Sequence, residues 1–392
     1  MSNGRAQPKN IPLSIYVHIP WCVKKCPYCD FNSHQVDSRK ESLPEKEYLS
    51  ALIRDVDSEL VLLQQSEFSS TRKIGSIFFG GGTPSLMSGD FYWQIMELLK
   101  TNFNFDDNIE VTIEANPGAI DQHHFKEYVA AGINRLSLGA QSFSNTALQE
   151  LGRIHDKQSI YRAFETARES GFNNINIDIM HGLPNQSLAE GINDLQLAFE
   201  LSPEHLSWYQ LTIEPNTAFF QSQPQLPEEN ILDTLYEHGL TALSENGYQQ
   251  YEVSAFSKQG FRAKHNLNYW EFGDYIGIGA GAHGKLTEST GEIRRRWKTR
   301  IPKDYMSSNA KTSSATLTQS KEIALEFMMN AMRLREGFPI AIFEARTGLS
   351  FGVIKEKLTV LSHQNLVEFD SQCVWPTSKG HRFFNNIIAE FS

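Results

Sequence analysis

Leu13-Ser-Ile-Tyr16-Val-His18-Ile-Pro20-Trp-Cys22-Val-Lys-Lys-Cys26-Pro-Tyr28-Cys29-Asp30-Phe31-Asn32 is the stretch that decides the fold. Its first seven residues are a β-branched and aromatic run, which reads as a strand. Three cysteines with C-x3-C-x2-C spacing follow at once, close enough in the chain for all three thiolates to turn toward one point. Soft ligands of this kind hold an iron–sulfur cluster or a zinc ion. In the first case a [4Fe–4S] cube with three protein thiolates keeps one iron open for an outside chelator. In the second, His18 or His34 would complete a Cys3His set. Structural zinc more often uses two separated C-x2-C pairs, and no second pair follows, so the cluster is the favoured reading. Cys373 stands alone far down the chain and is expected to be a small buried hydrophobe.

Downstream of this strand the pattern repeats. Short apolar runs at Ile74–Phe79, Ile109–Glu114, Arg135–Gly139, Asn174–Met180 and Leu206–Ile213 alternate with segments of helical periodicity. These are Pro44–Gln64, Gly89–Thr101, Asp121–Ala131, Lys157–Ser170, Leu188–Leu201 and Glu228–Gly247. Such alternation is the mark of βα units on a parallel sheet. A closed eight-unit barrel takes about 250 residues, and the alternation fades near residue 250, which predicts an open, partial (βα)6 barrel in the α/β class. Sites on such sheets lie at the C-terminal ends of the strands. The unusual clusters fall there: His18-Ile-Pro20, Gly80-Gly-Gly-Thr-Pro84, Glu114-Ala-Asn-Pro117, Gln141-Ser142 and Asp178 to Pro184. The expected organisation is a barrel over residues 1–250, an extension over 251–306, a Ser/Thr-rich linker over 307–320 and a small, mostly helical, winged-helix-like domain over 321–392.

Composition excludes other classes. With 46 acidic against 36 basic residues, net −10, a sequence-independent grip on nucleic acid or an anionic bilayer is not expected. The Met1–Asn10 segment carries no apolar leader, and the apolar runs are too short to span a bilayer. With cysteines that look like metal ligands rather than disulfides, this points to a reducing cytoplasm.

Tyr16-Val-His18-Ile-Pro20-Trp-Cys22-x3-Cys26-Pro-Tyr28-Cys29-Asp-Phe-Asn32 resembles the radical SAM superfamily, in its oxygen-independent coproporphyrinogen III oxidase-like branch. Within that branch Asp30-Phe-Asn32, Gly80-Gly-Gly-Thr-Pro84 and His265-Asn-Leu-Asn-Tyr-Trp270 are most similar to the HemW-type haem chaperones. The resemblance implies that Cys22, Cys26 and Cys29 hold a [4Fe–4S] cluster whose open iron is chelated by S-adenosylmethionine. It also implies that the Gly80–Gly82 edge contacts the methionine amino group, with Gly81, Gly82 and Thr83 binding the cofactor, that Glu114 and Asp178 accept from ammonium and ribose hydroxyls, and that Arg153 pairs with the carboxylate. Gln141 and Tyr16 would supply neutral donors and acceptors, and Tyr28 would pack on the adenine. His265 would ligate haem, with flanking aromatics on the porphyrin. From the residues alone, a lone histidine of this kind is more often structural than a ligand.

The implied function is a haem chaperone that binds haem and delivers it to an acceptor, such as a respiratory haem protein. The alternative is a radical enzyme that generates a 5′-deoxyadenosyl radical and acts on a porphyrinogen. Oxidases of the branch carry a fourth cysteine two residues beyond the last cluster ligand. Phe31 holds that place here, so coproporphyrinogen oxidase activity is not expected, while enzyme status stays open. Two further segments invite misreading. Gly279-Ala-Gly-Ala-His-Gly284-Lys285 matches G-x-G-x-x-G and the start of a P-loop, but Leu286 replaces the Ser/Thr, so it reads as a decoy. The resemblance makes Gly277–Gly284 a glycine-rich segment closing over the cofactor. Arg294-Arg-Arg296 is expected to be a solvated loop rather than a site for haem propionates.

Overall fold

The fold, a computed structural model, describes residues 11–36, 43–64, 72–118, 123–307 and 310–392. The Met1–Asn10 segment and the first residues of the helix expected from Asp121 lie outside these. Strand β1 (Leu13–Ile19) is followed by α1 (Glu45–Gln64), β2 (Ile74–Gly81), α2 (Gly89–Asn102), β3 (Phe105–Ala115), α3 (Phe125–Ala130) and β4 (Arg135–Gln141). Then come α4 (Lys157–Ser170), β5 (Ile175–His181), α5 (Leu188–Leu201), β6 (His205–Gln210) and α6 (Glu229–Glu245). Neighbouring strands from β1 to β6 pair in parallel.

Local chemistry sets the helix ends. Ser88, Ser144, Asp156 and Ser187 each accept a hydrogen bond from a first-turn N–H, and Glu190 completes a capping box with Ser187. Gly171 ends α4 at φ +106°, a left-handed conformation that glycine adopts without steric cost. The alternate faces of the strands bury Ile, Val, Leu and Phe against the helices in one continuous core.

Beyond α6 the sheet continues where the sequence reading saw only an extension. Helix α7 (Lys264–Trp270) leads to β7 (Asp274–Ile278), which pairs in parallel with β1 on its free side. Strands β8 (His283–Thr287), β9 (Ile293–Lys298) and β10 (Thr312–Leu317) then add antiparallel. The sheet of twelve strands among the described residues stays open, with β10 at one edge and the hairpin of Gln249–Glu252 and Ala255–Ser257 at the other.

Three expectations are corrected here. The Ser/Thr-rich stretch 307–320 is not a free linker, because Thr312–Leu317 forms the edge strand; its β-branched and small polar residues suit a solvated sheet edge. Arg294, Arg295 and Arg296 lie in β9 rather than a loop. They pair with Glu288, Glu326 and the buried Glu59 respectively. Cys373 is half-buried, not buried. The C-terminal unit packs helices Ser320–Ala331, Ile340–Thr347 and Gly352–His363 with a three-stranded sheet around its own core, which takes in Phe272 and Ile293 from the sheet extension.

Candidate functional site

The C-terminal ends of β1 to β6 converge on a chamber of about 290 Å3. The loop after β1 brings Cys22, Cys26 and Cys29 to it. That loop is shaped by backbone bonds: Cys29 N donates to Cys26 O at 3.2 Å, His34 N to Pro20 O at 2.7 Å and Val36 N to Cys22 O at 3.0 Å. All three cysteines are free thiols. Burial raises the pKa of Cys22 and Cys29, while the hydroxyls of Thr83 and Ser33 by Cys22, and the Phe31 backbone and Ser33 by Cys29, work against it. His18, a possible fourth zinc ligand, has both ring nitrogens occupied: Nδ1 lies 2.8 Å from Tyr16 OH and Nε2 2.9 Å from Asn32 O.

The far wall is polar and half-buried. Glu114 at the end of β3 accepts from Gly81 N at 3.0 Å. Its carboxyl is pushed up to about 8, first by burial and then by the charge of Asp178. Asp178 is itself raised by burial, against hydrogen bonds from Asn176 (2.8 Å), Ser207 and Ser137 (3.2 Å). Arg153 crosses the chamber, donating from Nη2 to Asn116 Oδ1 at 2.5 Å and Gly139 O at 2.8 Å, with Nη1 3.6 Å from Cys26 Sγ. Gln141 ends β4 at φ +70°, a left-handed conformation costly for a side-chain-bearing residue. Tyr209 OH donates to its Oε1 at 2.7 Å. At the glycine edge, a Cβ on Gly82 would stand 2.5 Å from Trp21 O, and one on Gly81 (φ +118°) 2.5 Å from the His18 ring. The backbone therefore comes to the chamber uncovered.

Residues 16–198 match the radical SAM superfamily and 319–383 the HemN C-terminal domain. A haem chaperone HemW of Haemophilus influenzae is 47% identical over 98% of this chain and 99% of its own length. The chain belongs to the radical SAM superfamily, in its HemW family. Escherichia coli HemW is 44% identical over 97% of this chain and 98% of its own. The solved structure of Escherichia coli coproporphyrinogen III oxidase (HemN) superposes with a TM-score of 0.79 at 23% identity. That match covers 98% of this chain and 91% of the oxidase, and establishes a shared fold.

For a chain of the HemW family, the superfamily implies a [4Fe–4S] cluster and S-adenosylmethionine. The chamber lining has the donor chemistry for both, with three thiols, a bare backbone edge, two carboxyls and a guanidinium, although among the described residues no three His, Cys, Asp or Glu side chains stand close enough together to hold one metal ion. It gathers every expected site residue except Tyr16 and His265. Tyr16 instead lines a neighbouring cavity of about 620 Å3, which meets the chamber at Phe31, Gly81 and Glu114. His265 lines neither. It is buried, with Nδ1 2.8 Å from Glu110 Oε1 and its ring 4.3 Å from that of Phe78. Burial raises the Glu110 pKa but His265 more than offsets this and holds it at about 2; burial lowers the imidazole's own pKa. The glycine-rich turn at 279–282 is followed by β8, not by the helix a P-loop needs, and it docks on the loop after the cysteines. Asn32 Nδ2 donates to Ala280 O at 3.0 Å and to Arg300 O at 2.9 Å.

Sequence reading missed Tyr209, Ser137 and Asn116. Asn116 stands in the Glu114-Ala-Asn-Pro117 cluster and could have been found by its place at a strand end. Tyr209 carries no such mark, since an aromatic in a strand reads as core. Among the described residues no helix is long and apolar enough to cross a membrane.

Proposed function

We propose that this protein is a cytoplasmic haem chaperone that carries a [4Fe–4S] cluster and S-adenosylmethionine, binds haem and passes it to an acceptor protein. The observation that carries the reading is end-to-end similarity, at up to 47% identity, to proteins named haem chaperones. The aromatic-walled 620 Å3 cavity beside the cysteine chamber supports it, being within the size range of small-molecule and cofactor pockets.

In this reading Cys22, Cys26 and Cys29 hold the cluster, and S-adenosylmethionine bound there supplies one-electron radical chemistry. The chain's own groups bind and orient it. Glu114 and Asp178 accept from ammonium and ribose hydroxyls, and the Gly81–Gly82 edge offers backbone groups. Arg153 lies beside the carboxylate, Gln141 and Tyr16 give neutral hydrogen bonds, and Tyr28 covers the adenine. Burial and Asp178 push the Glu114 carboxyl up to about 8, and an ammonium bound beside it would favour the carboxylate, its proton passing to solvent.

The second reading, a radical enzyme acting on a porphyrinogen, is favoured by one observation: the two cavities share Phe31, Gly81 and Glu114. An anaerobic haemin titration of the cluster-reconstituted protein tests the first reading. Saturation near one haem per chain is expected, followed by loss of haem to an apo-haem protein. Absence of saturable binding overturns the chaperone reading. 5′-Deoxyadenosine formed in step with porphyrinogen decarboxylation favours the enzyme.

A further inference from the structure

At the end of β4 the sheet is irregular. Between the pairs Leu138–Ile177 and Gln141–Ile179, three steps of β4 run alongside two of β5, so β4 carries one extra residue there. Gly139 and Ala140 pair with neither neighbouring strand. Gln141, which closes this bulge, takes φ +70°, a conformation that a residue with a side chain keeps only where its surroundings impose it. Its side chain lines the cysteine chamber. Oε1 accepts from Tyr209 OH at 2.7 Å, and Nε2 lies so close over Gly139 that a Cβ there would stand 3.0 Å away. Side chains meet the backbone groups on both flanks of Gln141. Before it, Arg153 Nη2 donates to Gly139 O at 2.8 Å, and His155 Nε2 lies 3.1 Å from Ala140 O. After it, one carboxylate holds both anchors: Asp194 accepts from Phe143 N at 2.8 Å through Oδ1 and from Ser142 Oγ at 2.7 Å through Oδ2.

Asp194 sits on α5, 51 residues beyond the amide it holds, with 2% of its surface exposed. A carboxyl enclosed in this way costs stability unless hydrogen bonds satisfy it. Burial pushes its pKa up to about 6, while the bonds from Ser142 and Phe143 work against that rise. Those two bonds fix the side chain of the first residue after Gln141 and the amide of the second, so the chain leaves Gln141 in one direction. With Gly139 and Ala140 held from the other side, the left-handed turn is closed at both ends. We propose that Asp194 is a positioning residue for the cysteine chamber: by pinning Ser142 and the Phe143 amide, it keeps Gln141 in its left-handed conformation with its side-chain amide turned toward bound S-adenosylmethionine. Asp194 does not line the chamber and acts through Gln141. The assignment rests on the reading that S-adenosylmethionine occupies the chamber, and adds to it a residue from outside the lining.

The test measures S-adenosylmethionine binding to the full-length, cluster-reconstituted protein by anaerobic calorimetry. The EPR signal of the reduced cluster, before and after addition, is the second readout. Wild type, Asp194→Ala, Asp194→Asn, Gln141→Ala and the double variant Asp194→Ala/Gln141→Ala are compared at equal iron content. Asp194→Ala should bind about tenfold more weakly, within the range of coupled neighbours. Gln141→Ala should lose as much, and the double variant no more than either. Asp194→Asn keeps an oxygen for Phe143 N and a hydrogen-bonding group for Ser142 Oγ, and should bind close to wild type with the same change in the EPR signal. Should Asp194→Ala not fold, Ser142→Ala takes its place in the same cycle, since it removes one anchor and leaves the other. Losses that add in the double variant overturn the positioning role while the cofactor reading stands. So does an Asp194→Ala protein that melts earlier yet binds as wild type does. A wild type that holds its cluster and binds no S-adenosylmethionine overturns both.

Discussion

Glu114→Gln should make the cofactor-free protein more stable and a worse binder of S-adenosylmethionine. Glu114 is half-buried where the two cavities meet, and its carboxyl is pushed from the ordinary 4.5 to about 8, by burial and by Asp178. Between those values the folded chain holds a proton that the unfolded chain has released, so stability falls as pH rises through that window. Each pH unit costs about 1.4 kcal/mol, giving a native-state penalty of about 3 kcal/mol at pH 7 and less than about 1 kcal/mol at pH 5. Glutamine keeps an oxygen for Gly81 N, 3.0 Å away, and does not titrate. Urea denaturation of the cluster-free protein should therefore show Glu114→Gln stabilised by about 3 kcal/mol at pH 7 and nearly level with wild type at pH 5. Calorimetry on the reconstituted protein should show S-adenosylmethionine binding weakened at least tenfold, about 1.4 kcal/mol. Equal effects at both pH values, or a loss of stability at pH 7, would refute the reasoning.

Replacing all three of Cys22, Cys26 and Cys29 by alanine should abolish iron and acid-labile sulfide binding yet leave the far-UV circular dichroism intact, because the loop keeps its backbone bonds to Pro20 and Cys22. Arg153→Lys should cost about 1–3 kcal/mol in urea denaturation, since an ammonium cannot reproduce the fork that reaches Asn116 and Gly139 at once; calorimetry should show weaker S-adenosylmethionine binding. Lys298→Met leaves the carboxylates of Asp55 and Glu59, 2.5 and 2.6 Å from Nζ, facing each other in the interior. Arg296 still pairs with Glu59, so the cost should be about 3 kcal/mol, toward the low end for a broken buried pair, read as a lowered thermal midpoint.

The barrel was legible because its signals are local. Lys157–Ser170 and Leu188–Leu201 announce themselves by caps and periodicity, and the cysteines by spacing within eight residues. What was hidden depends on pairing across long stretches of chain. Thr312–Leu317 reads as a polar linker until β9 lies beside it. The resemblance makes His265 a ligand, but that Glu110, 155 residues earlier, holds its Nδ1 shows only in the fold. His283 sat inside a motif that resembled a nucleotide loop, and only the opposition of β8 and β9 sets it beside Trp297 on a cavity wall.

The amide of Asn32, three residues past the last cluster cysteine, is fastened to Ala280 and Arg300 on the opposite rim. The main-chain carbonyl oxygen of Asn32 meanwhile meets Nε2 of His18 on β1. One short peptide thus serves as a common wall for two chambers, hydrogen-bonded to both rims. Reciprocity then sets the terms for any ligands of the two chambers: if occupancy of one changes affinity in the other by some factor, the second changes affinity in the first by the same factor.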